Sequence, residues 1–563
     1  MDSALFKTIN IHLKIKGDNM ANIKQPMGIQ PEGSQRYTGK DALRMNIMAG
    51  KIVAEIIKTT LGPRGMDKML VEYTGDVMIT NDGATILNKI DISHPAAKMI
   101  VEVARTQDQE VGDGTTTAVV LAGELLKKAE GLLDQDVHVS TITNGYNIAT
   151  EKAIEILKEL GEKITIDNEK ILLEVAKTSM TGKAAEKSIE KLAKIAVDAV
   201  KIATSTEDGI NSVSKNDIKI TIKEGGGLED SAIVKGLLVD ENRASDSMPQ
   251  KIKNAKIAIL TNSIEVKKTG IDAKIRITSP ENMQAFLDQE EFMLKRMIDR
   301  ITNAGANVVI CQKSIDETAL HFLSKAGVYA LKSVSEKEIK KISKVTGARI
   351  VNMALDLEPS DLGKAELVEE RKVSDEYMTF IEGCQDPKAA SILVRGGTKQ
   401  FVETVERALD DAIGVLIAVV KEGIICTGAG STEMEIAKRL SVFANTLKGR
   451  EQLAVKAFAE ALEGVPKAIA ENSGLDMIDI LVNLRAAHNK DNSKNMGINI
   501  KNGKIEDMLK AGVVEPLKLK EQAIKSASES AVMILRIDDV LAGRELAKSE
   551  ANRGMTRAAQ DMM

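Results

Sequence analysis

The sequence predicts a multidomain α+β protein in which mainly helical outer segments enclose a central α/β segment. The chain has 563 residues, and about 150 residues per domain allows roughly three to four domains. Apolar residues recur at helical spacing towards both ends of the chain. Between about 236 and 351, short apolar runs alternate with helical stretches, which is typical of an α/β layer domain.

The composition excludes several classes of protein. Hydrophobic residues make up 43% and charged residues 28% of the chain, so a large core is available and disorder is not the main state. Aromatic residues make up 2% and the net charge is −5, which argues against nucleic acid partners, because base readers use aromatic rings and basic surfaces. The three cysteines and five histidines match no metal or disulfide spacing. Since no apolar run reaches about 18 residues, we expect a cytoplasmic protein without a membrane partner.

The N-terminal part of the chain is predicted to be mostly helical. Apolar residues recur every three or four positions over 42–60, which predicts a helix that ends at the Gly/Pro turn 61–65. Two strand-like stretches follow at 68–72 and 76–80. Further helices are expected after 81–83, over 95–105 and over 118–133. The residues before Met20 are either an extension or a misassigned start.

The middle and C-terminal parts of the chain differ in their predicted secondary structure. A helix is predicted over 186–204, a strand over 218–223, and a hinge at the glycine run 225–227. A long helix over 280–302 interrupts the α/β segment. The buried strands expected in that segment are 255–260, 308–311, 327–330 and 348–351. A helix over 399–421 follows, and beyond the glycines at 428–430 the chain is predicted to be helical almost to its end.

Two turns that combine an acid, glycine and hydroxyl residues precede predicted helices, at 81–85 and 112–117. The N-terminus of a helix offers unpaired N–H groups that suit a phosphate, and glycine allows close approach. An aspartate there repels phosphate unless Mg²⁺ lies between them, which makes Asp113 a candidate metal ligand. An ordinary helix cap explains the pattern equally well. No GxxxxGK[ST] motif exists, so the site is not a P-loop.

Five segments together resemble the group II chaperonins of the archaeal thermosome type. They are TLGPRGMDK (60–68), NDGATIL (81–87), GDGTTT (112–117), TSMTGK (178–183) and LRIDD (535–539). The resemblance extends from about residue 26 to residue 540 and implies three domains. These are an equatorial ATP-binding domain (20–166 and 424–548), an intermediate hinge domain (167–234 and 390–423) and an apical substrate-binding domain (235–389) with a lid protrusion at about 264–300. Residues 1–19 and 549–563 are then an extension and a tail.

The resemblance also implies roles for individual residues in a Mg²⁺-ATP site. Asp113 would bind Mg²⁺, Asp82 would position the attacking water, and Lys183 would sense the γ-phosphate. Asp411 would complete hydrolysis, because the family's aspartate precedes an alanine and lies seventeen residues before the glycine loop. Its neighbour Asp410 is the alternative, since about 100° separates them on a helix. The other expected nucleotide contacts are Gly62, Pro63, Gly114, Thr115, Thr116, Thr117, Gly428, Gly430, Gly497 and Glu515, the last as a ribose acceptor.

One residue departs from the pattern of the family. The glycine loop usually carries three glycines, whereas Ala429 occupies the middle position here. If the backbone at this position has a positive φ, an alanine is strained there. The departure therefore raises a question about nucleotide affinity or cooperativity.

The expected partners also follow from the resemblance. They are non-native proteins and identical or closely related subunits in two stacked rings of about eight, with no separate lid protein. Phe286, Leu287, Phe292, Met293, Leu294 and Met297 on the long helix either contact these clients or pack inside the domain. The resemblance implies an ATP-dependent chaperonin that binds non-native proteins and encloses them in a chamber with a built-in lid, driven by Mg²⁺-ATP hydrolysis. Two other functions remain open: a nucleotide-binding holdase without productive cycling, and a small-molecule phosphotransferase that forms a compact oligomer.

Overall fold

The structure is a computed structural model. It describes residues 37–72, 75–183, 188–207, 210–234, 236–266, 280–384, 389–490 and 493–540. The predicted extension 1–19, the tail 549–563 and residues 267–279 of the predicted protrusion lie outside the described residues.

Helices account for most of both outer segments of the chain. The helices are α1 (Lys40–Lys58), α2 (Gly83–Lys89), α3 (Pro95–Val111), α4 (Thr115–Asp134), α5 (Val139–Leu160), α6 (Glu169–Met180), α7 (Ile189–Ala203), α8 (Pro280–Asn303), α9 (Glu317–Lys325), α10 (Glu336–Thr346), α11 (Lys399–Glu422), α12 (Ser431–Ala444), α13 (Glu451–Leu462), α14 (Gly464–Asn472), α15 (Met477–His488) and α16 (Leu517–Leu535). Within the described ranges, no helix has both the length and the apolar character needed to cross a bilayer.

Strands concentrate in the middle of the chain. The strands are β1 (Tyr37–Thr38), β2 (Lys68–Val71), β3 (Val77–Thr80), β4 (Glu162–Lys163), β5 (Ser205–Glu207), β6 (Ile210–Ser212), β7 (Ile218–Glu224), β8 (Ala232–Val234), β9 (Gly236–Val239), β10 (Lys251–Leu260), β11 (Val308–Cys311), β12 (Tyr329–Leu331), β13 (Ile350–Val351), β14 (Gly363–Val373), β15 (Glu376–Glu382), β16 (Ala390–Gly396), β17 (Ile424–Thr427), β18 (Met496–Asn499), β19 (Lys504–Asp507), β20 (Val514–Pro516) and β21 (Asp539–Val540). This mixture of helices and sheets agrees with the predicted α+β class.

The largest sheet has the strand order β12-β11-β10-β14-β15-β9, with β13 beside β10. Strands β10 to β13 pair in parallel, as expected where strands alternate with helices. Strands β14, β15 and β9 pair antiparallel. Strands β14 and β15 were not predicted from the sequence, because charged residues lie on both faces of β14 and hide the apolar alternation.

The prediction of helices almost to the C-terminus was wrong over 496–516. Strands β18 and β19 form a hairpin there, and β20 pairs with β17. The hairpin turns at Asn502-Gly503, where Gly503 has a φ of 69° and the Asn502 side chain accepts from the Lys504 N–H at 2.9 Å. Asn-Gly is a strong hairpin signal, and it was available in the sequence.

The two described ends of the chain form a compact unit of their own. Strand β1 pairs antiparallel with β21, with Tyr37 opposite Val540. The Gly39 N–H donates to the Asp538 carbonyl at 2.7 Å. The backbone close to each end is therefore fixed by the other end.

Buried apolar side chains form separate clusters in the remainder of the chain. The largest unites α1 to α5 with α12, α13 and α16, so helices from both outer segments share one core. Within it the rings of Tyr146 and Phe458 meet edge to face, 5.6 Å apart. A second cluster joins α6, α7, α11 and β16. Two more cover opposite faces of the large sheet, because successive strand residues point to opposite sides.

Helix α4 is held against α1 by a close contact at Gly123. A Cβ atom at this position would lie 2.3 Å from the Ala54 Cβ, so the two helices pack here without a side chain between them. Gly131 of the same helix has nothing within 4 Å of its Cβ position. The difference matters for the site described below, because α4 carries three threonines at its N-terminus.

We predict that Gly123→Ala lowers the midpoint of thermal unfolding. Overpacking of a close helix contact costs about 1–3 kcal/mol. Gly131→Ala is the matched control, and it should be neutral or stabilising by up to about 1 kcal/mol, because alanine favours the helix. Thermal melts of both variants test the contact, and equal midpoints for the two would contradict it.

Candidate functional site

A cavity of about 580 Å³ lies among the loops that follow α1, β3 and α3, the end of α6 and the start of α16. This volume is within the range of small-molecule sites. The predicted site residues that line it are Gly62, Pro63, Asp82, Asp113, Gly114, Thr115, Thr116, Thr117, Lys183, Gly430 and Glu515. Asp411, Gly428 and Gly497 do not line it, and their places are described below.

The N-terminus of α4 forms one wall of the cavity. Gly114 is the N-cap residue with a φ of 78°, and no side chain caps the helix. The first-turn N–H groups of α4 are therefore available to an anion. A Cβ at Gly114 would lie 2.8 Å from the Leu519 side chain. Buried Gln107 fixes this turn by donating to the Asp113 carbonyl at 3.0 Å and to the Leu519 carbonyl at 3.2 Å.

Asp82 has two roles in the structure. It caps α2, accepting from the Ala84 N–H at 3.3 Å and from the Thr85 N–H at 2.7 Å, so the ordinary cap interpretation holds for this residue. Its Oδ1 also accepts from the Thr115 hydroxyl at 3.0 Å, which joins the two acid-glycine turns. Gly83 allows this approach, since a Cβ there would lie 2.8 Å from the Thr116 hydroxyl.

Asp113 does not cap α4: its Oδ1 accepts from the neighbouring Gly114 N–H at 2.8 Å, and its other partners come from distant elements. Its Oδ2 accepts from the Ser179 hydroxyl at 2.6 Å, and its Oδ1 lies 3.7 Å from the Lys183 Nζ. Lys183 donates to the Asp411 Oδ2 at 2.5 Å. One buried lysine therefore lies between two carboxylates that are far apart in sequence.

Electrostatics within this group favour a charged Lys183. Burial alone would lower its pKa, but Asp113 and Asp411 more than offset that effect, and the pKa is raised. Burial raises the pKa of Asp411, while Lys183 opposes the rise. A buried carboxyl with a raised pKa is suited to hold or take up a proton.

The structure turns Asp411, and not Asp410, towards Lys183. Asp411 is buried on α11, whereas Asp410 is half-buried and pairs with the Lys215 Nζ at 2.6 Å. Asp411 lies behind Lys183 and is not among the residues that line the cavity wall.

Another part of the cavity wall is formed around the glycine loop. Strand pairing places Glu515 opposite Cys426, and a Cβ at Gly428 would lie 2.8 Å from the Glu515 Oε1. Gly497 lies behind the loop, since a Cβ there would be 3.1 Å from the Ala429 carbonyl oxygen. Gly428 and Gly497 therefore do not line the cavity but pack closely against Glu515 and Ala429, which do.

Several lining residues were missed by the sequence analysis. Ser179 and Lys520 are the most consequential, because each bonds a predicted site residue. Ser179 lies inside the TSMTGK segment, which was available as a signal. Lys520 and the hairpin residues Asn499 and Lys501 carried no motif, and only the fold brings them to the cavity.

The residues present fit Mg²⁺ and a nucleoside triphosphate. Free N–H groups, threonine hydroxyls and a buried lysine suit phosphate oxygens. Among the described residues, no three His, Cys, Asp or Glu side chains converge as a complete metal cage. Mg²⁺ usually takes one or two carboxylates and completes its shell with phosphate oxygens and water, which is what Asp113 can offer.

Ala429 adopts the strained backbone that the sequence analysis raised as a question, with a φ of 54°. We predict that Ala429→Gly stabilises the protein by about 0.5–1 kcal/mol, because the left-handed conformation is unfavourable for a residue with a Cβ. The midpoint of thermal unfolding should rise by about 1–2 °C. Ala486→Gly, at an exposed helical position of α15, is the control and should lower the midpoint. A fall with both variants would show that the loop is not strained.

Comparison with known proteins identifies clear relatives. The model of the TCP-1/cpn60 chaperonin family matches residues 53–545. The chain is 56% identical over 520 residues to a thermosome subunit of Methanopyrus kandleri, covering 92% of this chain and 95% of that protein. It is 54% identical over 526 residues to a thermosome subunit of Pyrococcus horikoshii (93% and 96% covered). It is also 54% identical over 530 residues to the thermosome subunit beta of Archaeoglobus fulgidus (94% and 97% covered).

Proposed function

Because the chain belongs to the TCP-1/cpn60 chaperonin family and to its group II, thermosome-like branch, we propose that it is an ATP-hydrolysing chaperonin. In this proposal it binds non-native proteins and encloses them in a double-ring chamber with a built-in lid. The main observation in favour of ATP hydrolysis is that Asp113, Lys183 and Asp411 lie together beside the uncapped N-terminus of α4. Similarity to thermosome subunits supports the same activity.

We assign the steps of hydrolysis to residues of this chain. When bound, ATP would supply the reactive γ-phosphate, and Mg²⁺ would neutralise the negative charge of the phosphate oxygens. Asp82 and Asp411 orient the attacking water, and Asp411 takes up its proton. Lys183 and the first turn of α4 hold the γ-phosphate, while Asp113 is the metal ligand. Glu515 accepts from the ribose hydroxyls, because a carboxylate suits hydroxyl donors and repels phosphate.

The hydrolytic residues come from elements that pack into different cores. Lys183 follows α6 and Asp411 is on α11, both of the second cluster. Asp82 and the threonines belong to α2 and α4 of the first cluster. We propose that these clusters correspond to the intermediate and equatorial domains, with 235–389 as the apical domain. Movement between them would then make or break the site and couple hydrolysis to closure.

Exposed apolar side chains support assembly with further subunits. On α1, Met45, Met48, Ile52 and Ile56 are between 37% and 51% exposed and lie at helical spacing on one face. Such a face is usually covered by a partner. We propose that it is covered in a ring of identical or closely related subunits.

The long helix α8 is the proposed site of client contact. Leu287, Phe292 and Met293 are exposed on it, whereas Leu294 and Met297 pack into the adjacent core. The packing interpretation therefore holds for the latter two. The Phe286 side chain lies outside the described residues.

Particle imaging of the purified protein tests the proposal. We expect double rings that close at both ends when ATP and aluminium fluoride are added. Rings that never close would favour a nucleotide-binding holdase. Small oligomers without a cavity would overturn the chaperonin and favour a phosphotransferase.

A further inference from the structure

A buried lysine joins two carboxylates close to the glycine loop. The Lys520 Nζ lies 2.6 Å from the Glu433 Oε1 and 2.6 Å from the Glu515 Oε2. The Lys520 side chain is 7% exposed and that of Glu433 is 5% exposed, whereas Glu515 is 22% exposed and lines the cavity. Glu433 therefore holds Lys520 from inside the protein, and Glu515 is the carboxylate that a ligand can reach.

The three residues come from two distant parts of the sequence. Glu515 is on β20 and Lys520 is in the first turn of α16, which follows β20 directly. Glu433 is in the first turn of α12, directly after the glycine loop. The lysine thus connects the helix that follows the loop to the strand that carries Glu515. The missing side chain of Gly428 leaves room for the Glu515 Oε1, which fixes the direction of the carboxylate.

We propose that Lys520 is a positioning residue for the nucleoside, one that holds the Glu515 carboxylate ionised and aimed at the ribose hydroxyls. The proposal rests on the nucleotide site proposed above and adds to it the group that controls ribose recognition. Lys520 acts through Glu515 and need not touch the nucleotide.

Charge balance explains why the lysine is needed. Burial raises the pKa of Glu515, and Lys520 opposes this rise. Burial would lower the pKa of Lys520, but Glu433 and Glu515 more than offset it, so the ammonium persists. Without this cation, nothing would offset the negative charge of Glu433, which itself raises the pKa of Glu515. A protonated Glu515 is a weaker acceptor for two hydroxyl groups.

The test compares the affinity of Mg²⁺-ATP with that of its 2′,3′-dideoxy analogue by titration calorimetry on the assembled protein. We expect the wild type to prefer ATP by about 10- to 100-fold, because the analogue leaves a charged acceptor unpaired. In Lys520→Met the preference should shrink to within about threefold, while affinity for the analogue changes little. Lys520→Arg keeps the charge and should restore part of the preference.

Lys518→Met is the matched control, since Lys518 lies on the same helix and pairs loosely with Glu422 at 3.7 Å. It should retain the wild-type preference. If Lys520→Met does not fold, Lys520→Gln takes its place, because its amide still donates to one carboxylate without a charge.

The possible results distinguish a failure of the Lys520 inference from a failure of the proposed nucleotide site. A wild type that does not bind Mg²⁺-ATP would overturn the nucleotide site itself. A wild type that binds ATP and the analogue equally would overturn the ribose role of Glu515, and the inference with it. A full preference retained in the uncharged Lys520 variant would overturn the inference alone.

Discussion

Asp411→Asn is expected to lower the rate of ATP hydrolysis by at least about 100-fold, because an amide cannot take the proton from the attacking water. The substitution preserves size, and its carbonyl oxygen can still accept the hydrogen bond from Lys183. ATP affinity should therefore stay within about threefold. Single-turnover hydrolysis and equilibrium binding of ATP measure the two effects separately.

Asp410→Asn is the control for this prediction. Asp410 is the neighbouring residue, but it is half-buried and pairs with Lys215 instead of Lys183. Its substitution should leave hydrolysis within about twofold of the wild type, as surface ion pairs contribute little. Full activity in Asp411→Asn, or a larger loss in Asp410→Asn, would show that the assignment is wrong.

Asp113→Asn should abolish measurable hydrolysis and weaken binding of Mg²⁺-ATP by about 100-fold, because a metal ligand is worth several kcal/mol. The amide loses the negative charge that a hard cation requires. Titration of ATP at increasing Mg²⁺ concentration should show a strong Mg²⁺ dependence in the wild type that the variant lacks.

Asp108→Asn provides the comparison, since Asp108 is a nearby half-buried carboxylate on α3 that does not line the cavity. We expect Asp108→Asn to keep the Mg²⁺ dependence of ATP binding that the wild type shows. If the Asp113 variant bound Mg²⁺-ATP as tightly as the wild type, another group would have to hold the metal.

The helices and the phosphate turns could be predicted from the sequence because their signals are local. Helix α4 begins three residues before the predicted start at 118, and this earlier start places Thr115, Thr116 and Thr117 in its first turn. The choice of Asp411 over Asp410 came from the resemblance to the family. The structure turns the same residue towards Lys183.

The remainder of the site depends on long-range contacts that leave no local signal. Lys520 reaches Glu433 across 87 positions of the sequence, and nothing near either residue indicates the pair. Two other misses had local causes. The β18–β19 hairpin carries an Asn502-Gly503 turn that was a usable signal, but its strands are only four residues long. Strands β14 and β15 were missed because charged residues lie on both faces of β14.

Refolding of a chemically denatured model enzyme tests the central claim most directly, namely that hydrolysis at this cavity drives the folding of captured proteins. The wild type with Mg²⁺-ATP should restore enzyme activity, whereas the wild type without nucleotide and Asp411→Asn with Mg²⁺-ATP should capture the enzyme and release little of it in active form. Equal recovery in all three reactions would contradict the account.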